Sequence, residues 1–410
     1  MIRIASRHAL RSLALALAVF GLAAAAPAAA GDGTITIGFT NSETGALNVD
    51  SSSQLNGFKL WADQVNAAGG ISVGGKKQRV VFVTYDDQSK ADRVQQLYSR
   101  LILQDNADFL FSPYSSGLTA TAAIISEQYG KVMITTGAAE NKTYQQGNKY
   151  LFQMYAPATT YLSGALEALK SVNPKAKLAV AYKDDSFSKA VAQAALARAR
   201  TLGFEVVFNE AYAPTTTDFG PLINKIISAG ADALVGGGHY ADGATLARQV
   251  FDHKVPLTFL SLLVAPDSPQ FASLGDSAIN VTAPSQWAPQ VTFKPDFGPT
   301  PAAFDEAYKT AYGKDPGYHA AGGYGAGLVL QHAIEQAGSL DADAVTAKLN
   351  SLDATIFFGH VKFAEDPAFH GLQTGHAMVS VQWQKKGAEL TKEVVWPKGG
   401  ATAPLAYPLR

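Results

Sequence analysis

The 410-residue chain contains no cysteine, and only 16% of its residues are charged. Without thiols there is no disulfide framework, no zinc–thiolate or iron–sulfur site and no cysteine nucleophile. Lys and Arg (33) balance Asp and Glu (34) at a formal net charge of −1, and neither sign gathers into a run. A nucleic-acid surface needs clustered cations to neutralise phosphates, so no nucleic-acid partner is expected. H-E-x-x-H, G-x-S-x-G and P-loop patterns are missing, and the eight histidines lack metal-ligand spacing. No nucleophile stands with a base, so neither catalysis nor a cofactor or metal is expected. Asp184-Asp185 reads as a solvated helix start rather than a carboxylate pair.

What is present is apolar. Hydrophobic residues make up 47% of the chain, too many for a disordered polymer. The length suits about two domains with real cores. Residues 1–30 read as a separate object. Arg3, Arg7 and Arg11 precede an apolar run over Leu13–Ala26, and Ala28-Ala29-Ala30 follows. Charge, apolar core and small-residue ending in that order predict a secretory signal peptide. The run falls short of the ~20 residues of a membrane span, and Pro27 interrupts it. Cleavage after Ala30 leaves 380 residues; losing three arginines and no acid moves the net charge from −1 to −4. With no cysteine for a lipid anchor, a freely diffusing periplasmic protein is expected.

The remainder alternates strand and helix. Thr34–Thr40 predicts a buried strand, and Ser51–Ala68 a helix with Leu55, Phe58, Ala62 and Val65 on one face. Strands are expected at 80–84, 108–112, 132–135, 178–182, 205–209, 233–235 and 257–260. Helices fill the intervals. Crossovers of this length imply parallel sheets covered on both faces, so two α/β lobes are expected. A Pro-rich stretch follows Ala283, then helices at 302–312, 319–337 and 342–350 and strands near 359–363, 377–382 and 392–395. The Gly/Pro/Ala-rich tail beyond Trp396 reads as loosely ordered.

Ligands of open α/β sheets bind beyond the carboxyl ends of the strands. One such end carries Tyr114, Ser115 and Ser116, whose hydroxyls serve either a helix N-cap or an anion site at the helix dipole. The next carries Gly137, Ala138 and Ala139, small enough for a ligand to reach the backbone. Gly236-Gly237-Gly238-His239-Tyr240-Ala241 matches G-x-G-x-x-A, but the following strand ends in Leu262-Leu263 without the acid a dinucleotide site needs. His239 and Tyr240 remain candidates to face a cleft, as do Trp287 and Tyr318-His319; core packing is the alternative for each.

The run GFTNSETGALNVDSSSQLNGFKLWADQVNAAGGI, with VTYDDQS, SPYSSGLTATAA, KVMITTGAAE and DDSFSKAV in order, resembles the type I periplasmic solute-binding proteins of the branched-chain amino-acid class of ABC importers. The resemblance covers essentially the whole chain after the leader. It implies the type I fold: two Rossmann-like lobes with mainly parallel sheets joined by a three-strand hinge. Residues 31–155 and 284–364 would form lobe 1, and 156–283 and 365–410 lobe 2. It also implies a monomer that closes on a small solute and docks on a permease driven by a cytoplasmic ATPase. Position by position, a carboxylate would meet Ser116, beside Ser115, and the backbone of Gly137, Ala138 and Ala139. Phe187 would close over the ligand, with His239 and His319 at further aromatic positions. The family often has a hydroxyl residue where Ala139 stands. It also has a carboxylate near Leu263 for an α-ammonium, and this chain has none there. Asp50 or Glu43 would have to replace that acid. Otherwise the solute is an aromatic or aliphatic carboxylate or an amide. A sensory module of the same fold is the competing function.

Overall fold

The structure, a computed structural model, describes residues 33–410; the leader assigned to residues 1–30 lies outside the described residues. Its first half runs β1 (Thr34–Asn41), α1 (Asn48–Ala67), β2 (Ile71–Val73), β3 (Lys76–Asp86), α2 (Ala91–Leu103), β4 (Phe109–Phe111), α3 (Ser116–Gln128), β5 (Met133–Thr135) and β6 (Leu151–Gln153). Then come α4 (Ser163–Val172), β7 (Lys177–Lys183), α5 (Ser186–Thr201), β8 (Glu205–Tyr212), α6 (Gly220–Ser228), β9 (Ala233–Gly237), α7 (Tyr240–Asp252), β10 (Phe259–Leu262) and β11 (Thr282–Ser285). The chain finishes with α8 (Pro301–Tyr312), α9 (Tyr318–Ala337), α10 (Ala342–Asn350), β12 (Asp353–Ile356), β13 (Gly359–Lys362), β14 (Val379–Lys386) and β15 (Glu389–Trp396).

Two sheets result, in the orders β2-β3-β1-β4-β5-β6 and β15-β14-β11-β10-β9-β7-β8. β1, β3, β4, β5 and β6 are parallel, as are β7 to β11, while β2, β14 and β15 add antiparallel edges. This is the expected pair of Rossmann-like lobes. β1 shows why parallel strands read as apolar runs: Ile35, Ile37 and Phe39 are buried under helices. Strand order reverses between β1 and β4 in one sheet and between β7 and β9 in the other. The loops that diverge at those points are therefore the crevices of the two lobes.

The short strands β2, β6, β11 and β12 escape the sequence reading because three or four residues carry no period; β11, Thr-Ala-Pro-Ser, lies at the start of the Pro-rich stretch. The tail is a correction. It is pinned: Leu409 is buried and donates to the Thr258 carbonyl at 2.7 Å, and Ala406 N–H donates to Gln382 Oε1 at 2.8 Å. Its backbone groups find partners on lobe 2, which composition alone does not reveal.

Helices α1 and α9 cross at backbone contact. A Cβ on Gly57 would stand 2.0 Å from the Ala320 carbonyl oxygen, and one on Gly323 2.4 Å from that of Gln54. Only glycine permits this approach, and it sets the start of α9 beside the start of α1.

Three chain passages link the sheets, after β6, after β11 and before β14, and Gln286 ties them together. Ala156 N–H donates to its side-chain Oε1 at 2.9 Å, its amide reaches Met378 Sδ at 3.7 Å, and its carbonyl lies 2.8 Å from His376 Nε2. A carbonyl only accepts, so His376 carries its hydrogen on Nε2. Burial holds His376 neutral, with a pKa pushed down to about 4. The unfolded chain takes up that proton near pH 6.5 and the native one only near 4, so this contribution is complete above pH 6.5 and lost as pH falls through 4. The difference amounts to about 3 kcal/mol. His376→Gln keeps a donor and removes the titration. Its stability, from urea unfolding at pH 7 and pH 4.5, should fall less on acidification than the wild type's. Equal falls would show that His376 is not the titrating group.

Candidate functional site

The loops at the two switch points face each other. From lobe 1 come Asp50 in the first turn of α1, Tyr114 after β4, and Gly137 and Ala139 after β5. From lobe 2 come Asp185 and Phe187 at the start of α5, His239 after β9, and Val264 after β10. α9 adds Tyr318 and His319 at its first turn. Between them lies a narrow cavity of about 10 Å³, walled by Tyr114, Gly137, Ala139, Tyr155, Tyr161, Phe187, His239, Val264, Tyr318 and His319. That is room for about one water, so the lobes are closed and must part to admit an organic solute.

Two buried carboxylates join the lobes in a reciprocal way. Asp50 of lobe 1 accepts at 3.2 Å from the backbone N–H of Tyr240, the first residue of α7 in lobe 2. Asp267, after β10 in lobe 2, accepts at 2.9 Å from the N–H of Tyr318, the first residue of α9 on lobe 1. Each acid thus meets the positive end of a helix in the opposite lobe. A third link runs between side chains, Tyr114 Oη and His239 Nδ1 at 2.9 Å.

Behind His239 the charges are paired. Its Nε2 lies 3.2 Å from Asp185 Oδ2. Burial opposes charge on both partners, yet their mutual attraction prevails: His239 titrates above its ordinary value, and Asp185, also held by Ser188 N–H, falls to about 2. Lys183 meets Asp242 at 3.2 Å, and Asp242 also accepts from Tyr212 Oη and His239 N–H. Asp50 has no such cationic partner in contact. Its oxygen Oδ1 is 4.0 Å from His319 Nδ1, beyond a hydrogen bond. Burial raises the Asp50 pKa to about 6, against the opposing pull of His239, the Tyr240 N–H and Lys183. His319 is driven the other way, to about 3, by burial and by the His239 charge; it is a neutral imidazole.

Of the residues read from sequence, Tyr114, Gly137, Ala139, Phe187, His239 and His319 share this wall, and Asp50 and Tyr240 stand directly behind it. Gly137 is small for a reason: a Cβ there would stand 2.8 Å from the Tyr114 ring. The others do not reach the cavity. Ser116 Oγ accepts from the N–H groups of Ala139 and Glu140 at 3.1 and 3.2 Å, so it braces the loop, with Ser115 as the N-cap residue of α3. Ala138 is fully buried behind them, and Leu263 lies under Val264 with its N–H on the Gly236 carbonyl. Trp287 belongs to the lobe 1 core, donating to the Phe357 carbonyl at 3.0 Å and packed edge-on against Phe304. Glu43 is exposed. Asp185 is the N-cap of α5, accepting from Ser188 N–H at 2.8 Å, and is also the partner of His239. Sequence reasoning missed Tyr155, Tyr161 and Val264, which carry no motif; only their position beside the β6 passage and after β10 marks them. Among the described residues no group of three or more acids and histidines could hold a metal ion.

The sequence model of the periplasmic binding protein family matches residues 34–388. The chain belongs to the periplasmic binding protein family. Leu/Ile/Val-binding protein homolog 7 of Brucella abortus (strain 2308) is 24% identical to it over 406 residues, 96% of this chain and 98% of that protein. The substrate binding protein LivJ of a branched-chain amino acid transporter from Streptococcus pneumoniae, solved with isoleucine, superimposes with a TM-score of 0.74 at 22% identity, over 89% of this chain and all of that one. A solute binding protein of an ABC transporter from R. palustris, solved with 4-hydroxybenzoate, gives 0.75 at 20% identity, over 88% and 96%. By fold this periplasmic binding protein is similar to the type I proteins of the branched-chain amino-acid class; neighbours sharing that fold hold different solutes. Among the described residues no helix is long and apolar enough to cross a membrane.

The Asp50 carboxyl makes a test of the lobe junction. Its native pKa lies above the ordinary 3.8, so the stability it adds is complete below pH 4 and lost as pH rises through 6. Asp50→Asn removes that loss. Relative to wild type, the variant should gain about 2 kcal/mol between pH 4.5 and 7.5, read from denaturant unfolding at both values. A difference independent of pH would mean that Asp50 is not buried as described.

Proposed function

We propose that this protein is the exported solute receptor of an ABC importer, closing its lobes on a small organic solute and delivering it to a membrane permease driven by a cytoplasmic ATPase. The observation that carries this reading is the cavity at the lobe junction, walled from both sides and bridged by Asp50, Tyr114 and Asp267. Residues 33–153, with α8 to β13, act as one lobe, and α4 to β11 with β14, β15 and the tail as the other, turning about the passages held at Gln286. Closure trades exposed helix ends for capped ones, so a solute held between these walls shifts an existing equilibrium. The receptor acts as a monomer in the periplasm, and no catalytic step is assigned to it.

Family membership favours a hydrophobic or branched-chain amino acid. A second reading, an aromatic carboxylate or amide, is favoured by the rings of Tyr114, Tyr155, Tyr161, Phe187 and Tyr318 in one wall. A sensory role would use the same closure. A thermal-shift panel of aliphatic amino acids, aromatic acids and amides should yield a hit that also compacts the protein in small-angle scattering. Phe187 stands edge-on to Tyr161 with centroids 5.1 Å apart, so Phe187→Ala should weaken that hit about tenfold or more, ~1.4 kcal/mol. Unchanged affinity in calorimetry would remove Phe187 from the site, and binding without compaction would reject closure.

A further inference from the structure

The cavity wall holds one polar atom that can act in only one sense. His319 lines the cavity and is almost fully buried, and its Nε2 has no protein partner. Its other nitrogen, Nδ1, lies 4.0 Å from the Asp50 carboxyl; that is beyond a hydrogen bond, but the negative charge there favours the tautomer with its hydrogen on Nδ1, and Nε2 is assigned the lone pair. The ring does not escape by taking up a second proton, because burial and the adjacent His239 charge hold it neutral. Three tyrosine rings pack around it: Tyr318 at 4.1 Å, Tyr114 at 5.0 Å and Tyr155 at 6.3 Å between centroids. The Tyr114 hydroxyl is engaged with His239. The Tyr155 hydroxyl is also buried and unpartnered, but a hydroxyl turns to donate or accept as needed. An unprotonated ring nitrogen only accepts.

We propose that His319 Nε2 selects the solute, accepting a hydrogen bond from an O–H or N–H group on the part of the solute that meets the lobe 1 wall. The inference rests on the reading of this cavity as the solute site. It narrows the chemistry. A solute with a hydroxyl, ammonium or amide hydrogen satisfies His319. One with only acceptor atoms sets a lone pair against a lone pair and leaves the nitrogen desolvated and unpaired. A site built to hydrogen-bond rejects the analogue lacking the group far more sharply than an apolar site does. The same residue accommodates either an amino acid or a hydroxylated aromatic acid, and disfavours the bare carboxylates of both.

The test uses matched pairs in titration calorimetry with the purified protein: leucine against 4-methylpentanoate, and 4-hydroxybenzoate against benzoate. In whichever pair binds, the donor-bearing member should be at least about tenfold tighter. His319→Phe should bring the two members to near-equal affinity chiefly by weakening the donor-bearing one, and His319→Gln, which keeps an acceptor, should restore part of the gap. If the Phe variant does not fold, as judged by its melting curve, the wild-type ratio and the Gln variant decide. Binding with equal affinities within a pair, a gap that survives in His319→Phe, or a tight solute with no O–H or N–H donor overturns the proposal and leaves the receptor reading intact. A protein that binds no solute across the full thermal-shift panel overturns both.

Discussion

The structure depends on two carboxylates that each cap a helix belonging to the other lobe. Asp50 reaches the first N–H of α7 and Asp267 the first N–H of α9, both from buried positions. Both bonds form only when the lobes meet, and for Asp50 the cost of burying the charge outweighs what the Tyr240 N–H returns. The geometry that permits them is remote. Gly57 and Gly323 let α1 and α9 touch, which brings Asp50 and His319 to one corner. Gln286 holds the three passages in register, so the faces that meet are always the same ones.

Around that contact the interior charges pair within lobe 2. Lys183 with Asp242 and His239 with Asp185 are close pairs, with Tyr212 and backbone N–H groups taking up remaining acceptor capacity. Burying ions is costly unless such partners are present, and the pairing leaves the cavity wall aromatic. Asp50 is the exception, a carboxyl with a helix end but no cation in contact. Its raised pKa and the depressed one of His319 arise from the same burial acting on groups of opposite charge type.

The fold was legible in the sequence because its evidence is local. The apolar run of β1, the one-sided face of α1 and the regular crossovers each follow from burial on one or both sides. So does the candidate wall where it coincides with a strand end: Tyr114, Gly137, Ala139, Phe187 and His239 sit where parallel strands stop. Tyr155 and Tyr161 were not legible, since they lie on a passage between sheets, and neither was the use of the Ser116 hydroxyl by the neighbouring loop. Trp287 illustrates the ambiguity of an aromatic near a boundary, which packs inward when a carbonyl such as that of Phe357 offers its indole a partner.

The class of molecule follows from the sequence alone: an α/β chain of two lobes, without thiols, related to periplasmic binding proteins. These follow from composition, periodicity and strings of adjacent residues, which do not depend on what lies across the molecule. Which side chains meet is set by the folded chain. Asp50 and Tyr240 are 190 positions apart, and no pattern along the chain says that one caps the other. The protonation of His239 and His319 was likewise decided by burial and by the charge next to each, both properties of the folded interior rather than of the residue.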